Sequence, residues 1–145
     1  MINKNISKAL YNILSNSYGL ALKTQNYHWN VVGPNFKSLH ELFGSEYEEL
    51  IEAIDVIAER IRALDALVPA SFDDFIKISK IKNGNEKAKA EIMIKDLLED
   101  NLYLVKILNE GLKIIQEEGD EASADMLIER IEVHSKNAWM LKSSL

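Results

Sequence analysis

Hydrophobic residues recur every three or four positions along most of this chain, which is the period of an amphipathic helix. The pattern is clearest in the second quarter of the chain, at Phe36, Leu39, Phe43, Tyr47, Leu50, Ile54, Ala58 and Ile61. Similar stripes run over residues 6–21 and 97–115. No segment of useful length alternates as a half-buried strand does, so the sequence predicts an all-α fold.

Four long helices and one short helix are the simplest division of the chain. The long helices are expected from about Ser7 to Asn30, from about Asn35 to Leu67, from about Glu86 to Glu117, and from Asp120 to near Ser143. The Gly33-Pro34 pair and Gly119 supply breaks. Ser71 is suited to cap a short helix between the second and third long ones. A bundle with one such crossover has the ferritin-like four-helix topology.

The composition indicates one globular domain, residues 1–145, with 47% hydrophobic and 28% charged residues. No apolar run approaches the roughly 18 residues that span a bilayer, and the start MINKNISK lacks a signal peptide's apolar stretch, so we expect a cytoplasmic protein without membrane association. The chain has no cysteine, which restricts any metal site to nitrogen and oxygen ligands. The formal net charge of −6 works against binding nucleic acid.

Two of the three histidines, His28 and His40, lie on either side of the break between the first two helices. A turn there can fold both imidazoles towards one point. Asp55 and Glu59 lie four residues apart on the second helix, so both carboxylates share one face, away from the apolar stripe. His40 and Asp55 are separated by about 22 Å along that helix. They cannot hold one metal ion within one chain.

An antiparallel pairing of two copies of the second helix would remove this separation. With a two-fold axis near residue 49, His40 of one chain lies opposite Asp55 and Glu59 of the other, and His28 can supply a second nitrogen. Two nitrogens with carboxylate oxygens and open positions suit Fe(II) better than a closed zinc site.

Each of these residues also has a purely structural interpretation. His28 falls on the apolar stripe of the first helix, where a histidine is often a buried core residue. Asp55 and Glu59 could form a solvated face paired with Arg62 or with lysines. The two tryptophans are better explained as packing residues than as redox relays, and His134 as a structural or surface residue.

A known family has a signature that resembles this chain, the Dps mini-ferritins or DNA-protection-in-starvation proteins, including their neutrophil-activating branch. The matching residues are His28-Trp29-Asn30, Gly33-Pro34, Phe36, Leu39-His40, Asp55-x-x-Ala58-Glu59-Arg60-Ile61 and Trp139-Met140-Leu141. The likeness extends over nearly the whole chain.

The resemblance implies a hollow dodecamer with ferroxidase centres at its two-fold interfaces. His28 and His40 of one subunit and Asp55 and Glu59 of the other would be the ligands at each centre. Members oxidise Fe(II), with hydrogen peroxide as the favoured oxidant, and store the ferric product as mineral inside the shell.

The same resemblance implies that Asp120, Asp125 and Glu129 line an acidic threefold pore through which iron enters. The alternative is that these acids complement the dipole at the start of the last helix. Both explanations remain open on the sequence alone.

Two departures from the family pattern affect the expected function. Gly44 stands where many relatives have a carboxylate, which leaves a second iron at each centre open, with Glu41 or Glu48 as substitutes. The N-terminus lacks the lysine-rich tail of relatives that condense DNA, so DNA binding is expected to be weak or absent. A DNA-binding, nucleoid-protecting protein and a released immunomodulatory helical protein remain the alternative functions.

Overall fold

The computed structural model describes residues 3–145, and these residues form five α-helices and no strand. The helices are α1 (Lys4–Asn30), α2 (Phe36–Ala63), α3 (Phe72–Ile78), α4 (Ala90–Glu117) and α5 (Glu121–Lys142). This confirms the all-α prediction. Within the same residues, no helix combines the length and apolar character that crossing a bilayer requires.

Contacts between helix ends define the topology of the bundle. Asn3, at the start of α1, donates a side-chain hydrogen bond of 2.9 Å to Glu118, just after α4, so α1 and α4 are antiparallel. The short turn after Asn30 makes α1 and α2 antiparallel as well. Therefore α2 and α4 run parallel, which requires the long link over residues 64–89. The predicted ferritin-like bundle with one crossover is confirmed.

The predicted apolar stripes supply most of the core. Phe43, Leu50 and Ile61 of α2 are buried, as are the predicted inner positions of α1. Two predicted core positions are wrong: Leu102 is 53% exposed and Phe36 is 44% exposed.

The second helix ends at Ala63 rather than at the expected Leu67. Asp65 adopts a left-handed conformation with φ of 66°, and its N–H donates to the Arg62 carbonyl over 3.0 Å. The Ala66 N–H donates to the Ile61 carbonyl over 3.2 Å, which completes a helix-ending motif usually built on glycine. Because an aspartate takes the position of that glycine, the residue pattern did not predict this helix end.

The crossover contains the predicted short helix, capped by Ser71, whose hydroxyl accepts the Asp74 N–H over 3.1 Å. α3 packs against α1, and the Phe75 ring stacks on Tyr18 with 4.6 Å between centroids.

Candidate metal centre

His28 lies in the last turn of α1 and His40 in the first turns of α2, and the short turn between the helices brings their side chains into contact. The two imidazole rings stack with centroids 3.9 Å apart and 13° between their planes. The Nδ1 atom of His28 lies 2.7 Å from the His40 carbonyl oxygen, and the Nδ1 atom of His40 lies 2.6 Å from the His28 carbonyl oxygen. The two residues thus hold each other through reciprocal hydrogen bonds.

These bonds determine which ring nitrogen is available to a metal. A carbonyl oxygen only accepts hydrogen bonds, so each Nδ1 must carry the proton and donate. In a neutral ring, Nε2 then presents its lone pair, which is the arrangement that second-shell carbonyls impose on metal-binding histidines. Over residues 3–145, no protein atom hydrogen-bonds to either Nε2.

Phe36 covers the other side of this pair. Its ring stacks on the imidazole of His40 with 5.2 Å between centroids and 22° between planes. Phe36 was predicted to lie in the core. Instead it is partly exposed, and its ring packs against a candidate ligand.

Asp55 and Glu59 both lie exposed on α2, as the helical wheel predicted. The pKa of Glu59 is raised because of its hydrogen bond with Asp55 and then because of that residue's negative charge. The two carboxyl groups are therefore close enough for the negative charge of one to oppose ionisation of the other. A cation bound between them would offset this repulsion.

The salt-bridge interpretation of this face finds no support in the structure. In the part of the chain that the structure describes, neither Asp55 nor Glu59 forms an ion pair. Arg62 donates instead to the carbonyl of Ala66 over 2.9 Å. The neighbouring Arg60 is held by Asp120.

The histidines and the carboxylates do not meet within one chain. No group of three or more His, Asp or Glu side chains among residues 3–145 is arranged to hold a metal ion. This agrees with the separation of about 22 Å that fifteen residues of helix impose between His40 and Asp55. Within one chain, the histidine pair and the carboxylate pair are therefore separate groups.

Comparison with known proteins identifies the family. A model of the ferritin-like domain matches residues 7–145. DNA protection during starvation protein 2 of Bacillus anthracis is 33% identical over 144 residues, covering 99% of this chain and 99% of that protein. The chain belongs to the Dps family.

Solved structures give the same result for this Dps chain. The crystal structure of Dps from Staphylococcus aureus matches with a TM-score of 0.94 and 32% identity, covering 100% of this chain and 98% of that one. The Dps protein of Vibrio cholerae O1, described as a member of a broad superfamily of ferritin-like diiron-carboxylate proteins, matches with a TM-score of 0.91 and 30% identity, covering 95% of this chain and 87% of that one.

A groove of about 450 Å³ runs beside Asp55 on the Dps chain, where α3 and the crossover approach α1 and α2. Its lining is mostly apolar: Leu14, Tyr18, Ile51, Ile54, Val68 and Phe75. Trp29 at the end of α1 is 63% exposed, so most of its side chain surface is not packed within its own chain. Trp139 is 65% exposed, and the prediction that both tryptophans pack is wrong for the single chain.

Asp120 has a local structural role at the start of α5. Its carboxylate accepts the Ser123 N–H over 3.1 Å and two hydrogen bonds from Arg60 over 2.9 and 3.1 Å. Burial alone would raise its pKa, but the bonds from Ser123 and Arg60 outweigh burial and lower it. Asp125 and Glu129 are exposed further along the helix, and the pore remains a prediction.

His134 is a buried structural residue, one of the two roles that the sequence left open. Its Nδ1 lies 2.8 Å from the Asn101 side-chain oxygen, and its Nε2 lies 3.1 Å from an Arg130 nitrogen. Arg130 also forms an ion pair with Glu49. This network joins α2, α4 and α5 and takes no part in the candidate centre.

Proposed function

We propose that this Dps chain is an iron-storing ferroxidase, which binds Fe(II) at two-fold subunit interfaces and oxidises it. The observation that carries the proposal is the stacked pair of imidazoles. Each Nδ1–H donates a hydrogen bond to the other residue's carbonyl oxygen, and neither Nε2 atom has a hydrogen-bond partner among residues 3–145. The family match to the ferritin-like domain supports iron as the metal.

The donor set fits Fe(II). His28 and His40 supply two neutral nitrogen donors, and Asp55 and Glu59 supply oxygen donors with two negative charges. Together they balance the charge of one Fe(II) ion, and carboxylate oxygens stabilise the higher charge of Fe(III). With no sulfur ligand present, the set does not resemble a structural zinc site.

Completion of the centre requires a second copy of the chain. We propose that two subunits pair through α2 in antiparallel orientation, so that each contributes its histidines to one centre and its carboxylates to the other. The exposed carboxylates and the adjacent apolar groove support this pairing, because both lie on the face that a partner would cover. Repetition of such interfaces would build the dodecameric shell.

The chemistry proposed for the centre is a one-electron oxidation of each Fe(II) ion. Hydrogen peroxide would accept the electrons of two Fe(II) ions and, with two protons, give two water molecules. The ferric product would then be stored as mineral inside the shell. Asp125 and Glu129 would attract Fe(II) to an entry pore, with Asp120 at its start.

Protection of DNA by direct binding is less well supported, although the Bacillus anthracis relative carries that role in its name. The net charge of −6 opposes contact with phosphates. Tight, salt-sensitive binding in a gel shift would favour the DNA-binding alternative.

Anaerobic Fe(II) titration followed by addition of peroxide tests the proposed function. The wild-type protein should oxidise Fe(II) rapidly, and a His28→Ala, His40→Ala, Asp55→Ala triple variant should lose the reaction. A Glu132→Ala variant, altered at an exposed position of α5, is the control and should behave as wild type. Full activity in the triple variant, or a monomeric solution mass for the wild type, would contradict the proposal.

A further inference from the structure

The link between α3 and α4 contains the only Asn-Gly pair of the sequence, Asn83-Gly84. The pair lies within residues 79–85, which form no helix or strand. The Asn83 side chain is exposed, and it has no hydrogen-bond partner among residues 3–145. Within the same residues, the Gly84 N–H donates no hydrogen bond. The side-chain amide and the backbone nitrogen that follows it are therefore both unpaired.

Gly84 packs so closely on α1 that a larger residue is disfavoured at its position. A Cβ atom placed on it would have three neighbours at 3.1 Å: Asn26 Nδ2, Lys23 Cγ and Tyr27 Cε1. Tyr27 is fully buried, so its ring has little room to move. Its hydroxyl also accepts the Asn85 N–H over 3.3 Å, which fastens the link to α1. Packing therefore favours a residue without a side chain directly after Asn83.

An asparagine side chain can react with the backbone nitrogen of the next residue without a catalyst. The Gly84 nitrogen attacks Cγ of Asn83 and forms a C–N bond. The bond from Cγ to the side-chain nitrogen breaks, and that nitrogen leaves as ammonia with the proton of the Gly84 N–H. Water then opens the cyclic imide at either carbonyl, which gives aspartate or isoaspartate. Glycine favours the attack because no Cβ hinders the approach and its backbone adopts conformations closed to other residues.

We propose that Asn83 is a site of spontaneous deamidation in the folded protein, converted to aspartate or isoaspartate through an imide with Gly84, with water as the co-reactant. Every other asparagine is followed by a residue that has a side chain. Asn85 is the nearest comparison, because it is exposed in the same link but precedes Glu86. Its Oδ1 also accepts the Lys87 N–H over 2.9 Å, which holds the side chain in place.

Water reaches Asn83 from a recess of about 430 Å³. The recess is lined by residues of α1, α4 and the link, and none of its lining residues belongs to α2. The proposed pairing of subunits through α2 therefore uses a different face. The reaction also requires no metal ion, so this inference is independent of the proposed function.

Isoaspartate is the product that should affect the fold. It routes the backbone through the former side chain, which inserts one extra carbon atom before Gly84. Because Gly84 fits so closely against Tyr27, the longer backbone would displace the link from α1. We expect the melting temperature to fall by a few degrees, the shift that loss of a local contact produces in a chain of this size.

The test follows the assembled wild-type protein during long incubation at mildly alkaline pH, with peptide mass spectrometry as the measurement. We expect loss of the amide at Asn83 before any loss at Asn85. Labelling by isoaspartyl methyltransferase should detect isoaspartate in the same peptide, and the melting temperature should fall as that fraction rises.

Asn83→Ser is the matched variant, since it keeps a small polar side chain but cannot form the imide. Its mass and melting temperature should stay constant during the same incubation. Asn85→Ser makes the same substitution in the same link and should age as the wild-type protein does.

Three results would overturn the inference. The first is an intact Asn83 under conditions in which a peptide of residues 79–89 loses the amide, because the fold would then protect the pair. The second is conversion at Asn85 as fast as at Asn83. The third is an unchanged melting temperature after isoaspartate has formed, which would contradict the displacement of the link. None of these results depends on Fe(II) oxidation, so this inference and the proposed function fail separately.

Discussion

His134 donates its Nδ1–H to the side-chain oxygen of Asn101 over 2.8 Å, and this bond joins α5 to α4 inside the bundle. The direction follows from Asn101, whose side-chain nitrogen already donates to the Leu97 carbonyl. His134 is therefore neutral, with Nε2 accepting from Arg130. Burial, and then the positive charge of Arg130, lowers the pKa of His134 to about 3.

This low pKa predicts acid sensitivity of the fold. The unfolded chain binds a proton at His134 as pH falls below about 6.5, whereas the folded chain resists protonation down to about pH 3. Stability should fall across that window, by at most about 1.4 kcal/mol per pH unit from this residue. His134→Gln keeps a donor and an acceptor but does not titrate, so its melting temperature should fall less than that of wild type on acidification. Equal losses in both proteins would contradict the prediction.

Asp55→Lys should damage both iron oxidation and assembly, because it places a cation opposite the partner's imidazoles in the proposed pairing. We expect the Fe(II) oxidation rate to fall by at least about tenfold and the particle mass measured by light scattering to fall. Glu132→Lys makes the same charge change on an exposed part of α5 and should alter neither property. Normal mass and normal oxidation in Asp55→Lys would show that this face is not an interface.

Asp120→Ala should destabilise the start of α5. It removes an N-cap, which costs about 0.5–2 kcal/mol, and it also leaves Arg60 without its carboxylate. Because the pKa of Asp120 is lowered, its contribution is present above the pKa of an unfolded aspartate and is lost as pH falls through the folded value. The difference between wild type and variant in chemical denaturation should therefore shrink on acidification.

Asp125→Ala is the control for that measurement, since Asp125 is exposed on the same helix and forms no cap. Its stability should stay within about 0.5 kcal/mol of wild type. If the acidic pore exists, iron uptake by Asp125→Ala should slow although its stability does not change. Equal destabilisation of both variants would argue against the capping role of Asp120.

Local patterns predicted the helices and the candidate ligands because both depend on spacing along one helix. The step from Asp55 to Glu59 fixes a shared face, and fifteen residues of helix fix the distance between His40 and Asp55, from which the proposed pairing of two subunits follows. The close approach of the His28 ring to Gly44 of α2 could not be predicted in this way, because it depends on how the turn joins two helices. Its available signal was a glycine in the middle of a helix, one turn after a candidate ligand.

The end of α2 escaped prediction for a different reason. Asp65 takes the left-handed position that usually indicates glycine, so no composition signal was present. The apolar stripe of α2 predicted most of the buried apolar positions, apart from Phe36, but it missed a buried polar residue: Glu46 is 7% exposed and lies between buried Phe43 and Leu50. Hydrophobic periodicity predicts which helix face is buried. It does not show by itself that a polar residue, such as Glu46, lies within that face.

Glu46→Gln should stabilise the protein at neutral and alkaline pH. Burial raises the pKa of Glu46 to about 8, and its Oε1 has no hydrogen-bond partner among the described residues. Below the unfolded pKa of about 4.5, Glu46 is uncharged in both the folded and the unfolded chain, so its contribution to stability is fully present. Between about pH 4.5 and 8 only the unfolded chain loses the proton readily, so this contribution is lost as pH rises towards about 8. The amide that replaces it in the variant carries no charge at any pH, so melting temperatures of the two proteins should diverge as pH increases from 4.5 to 8, with the variant higher. Glu48→Gln changes an exposed neighbour on the same helix and should show no such divergence. A Glu46→Gln variant that melts below wild type at about pH 8 would show that the carboxylate has a stabilising partner in the assembled particle.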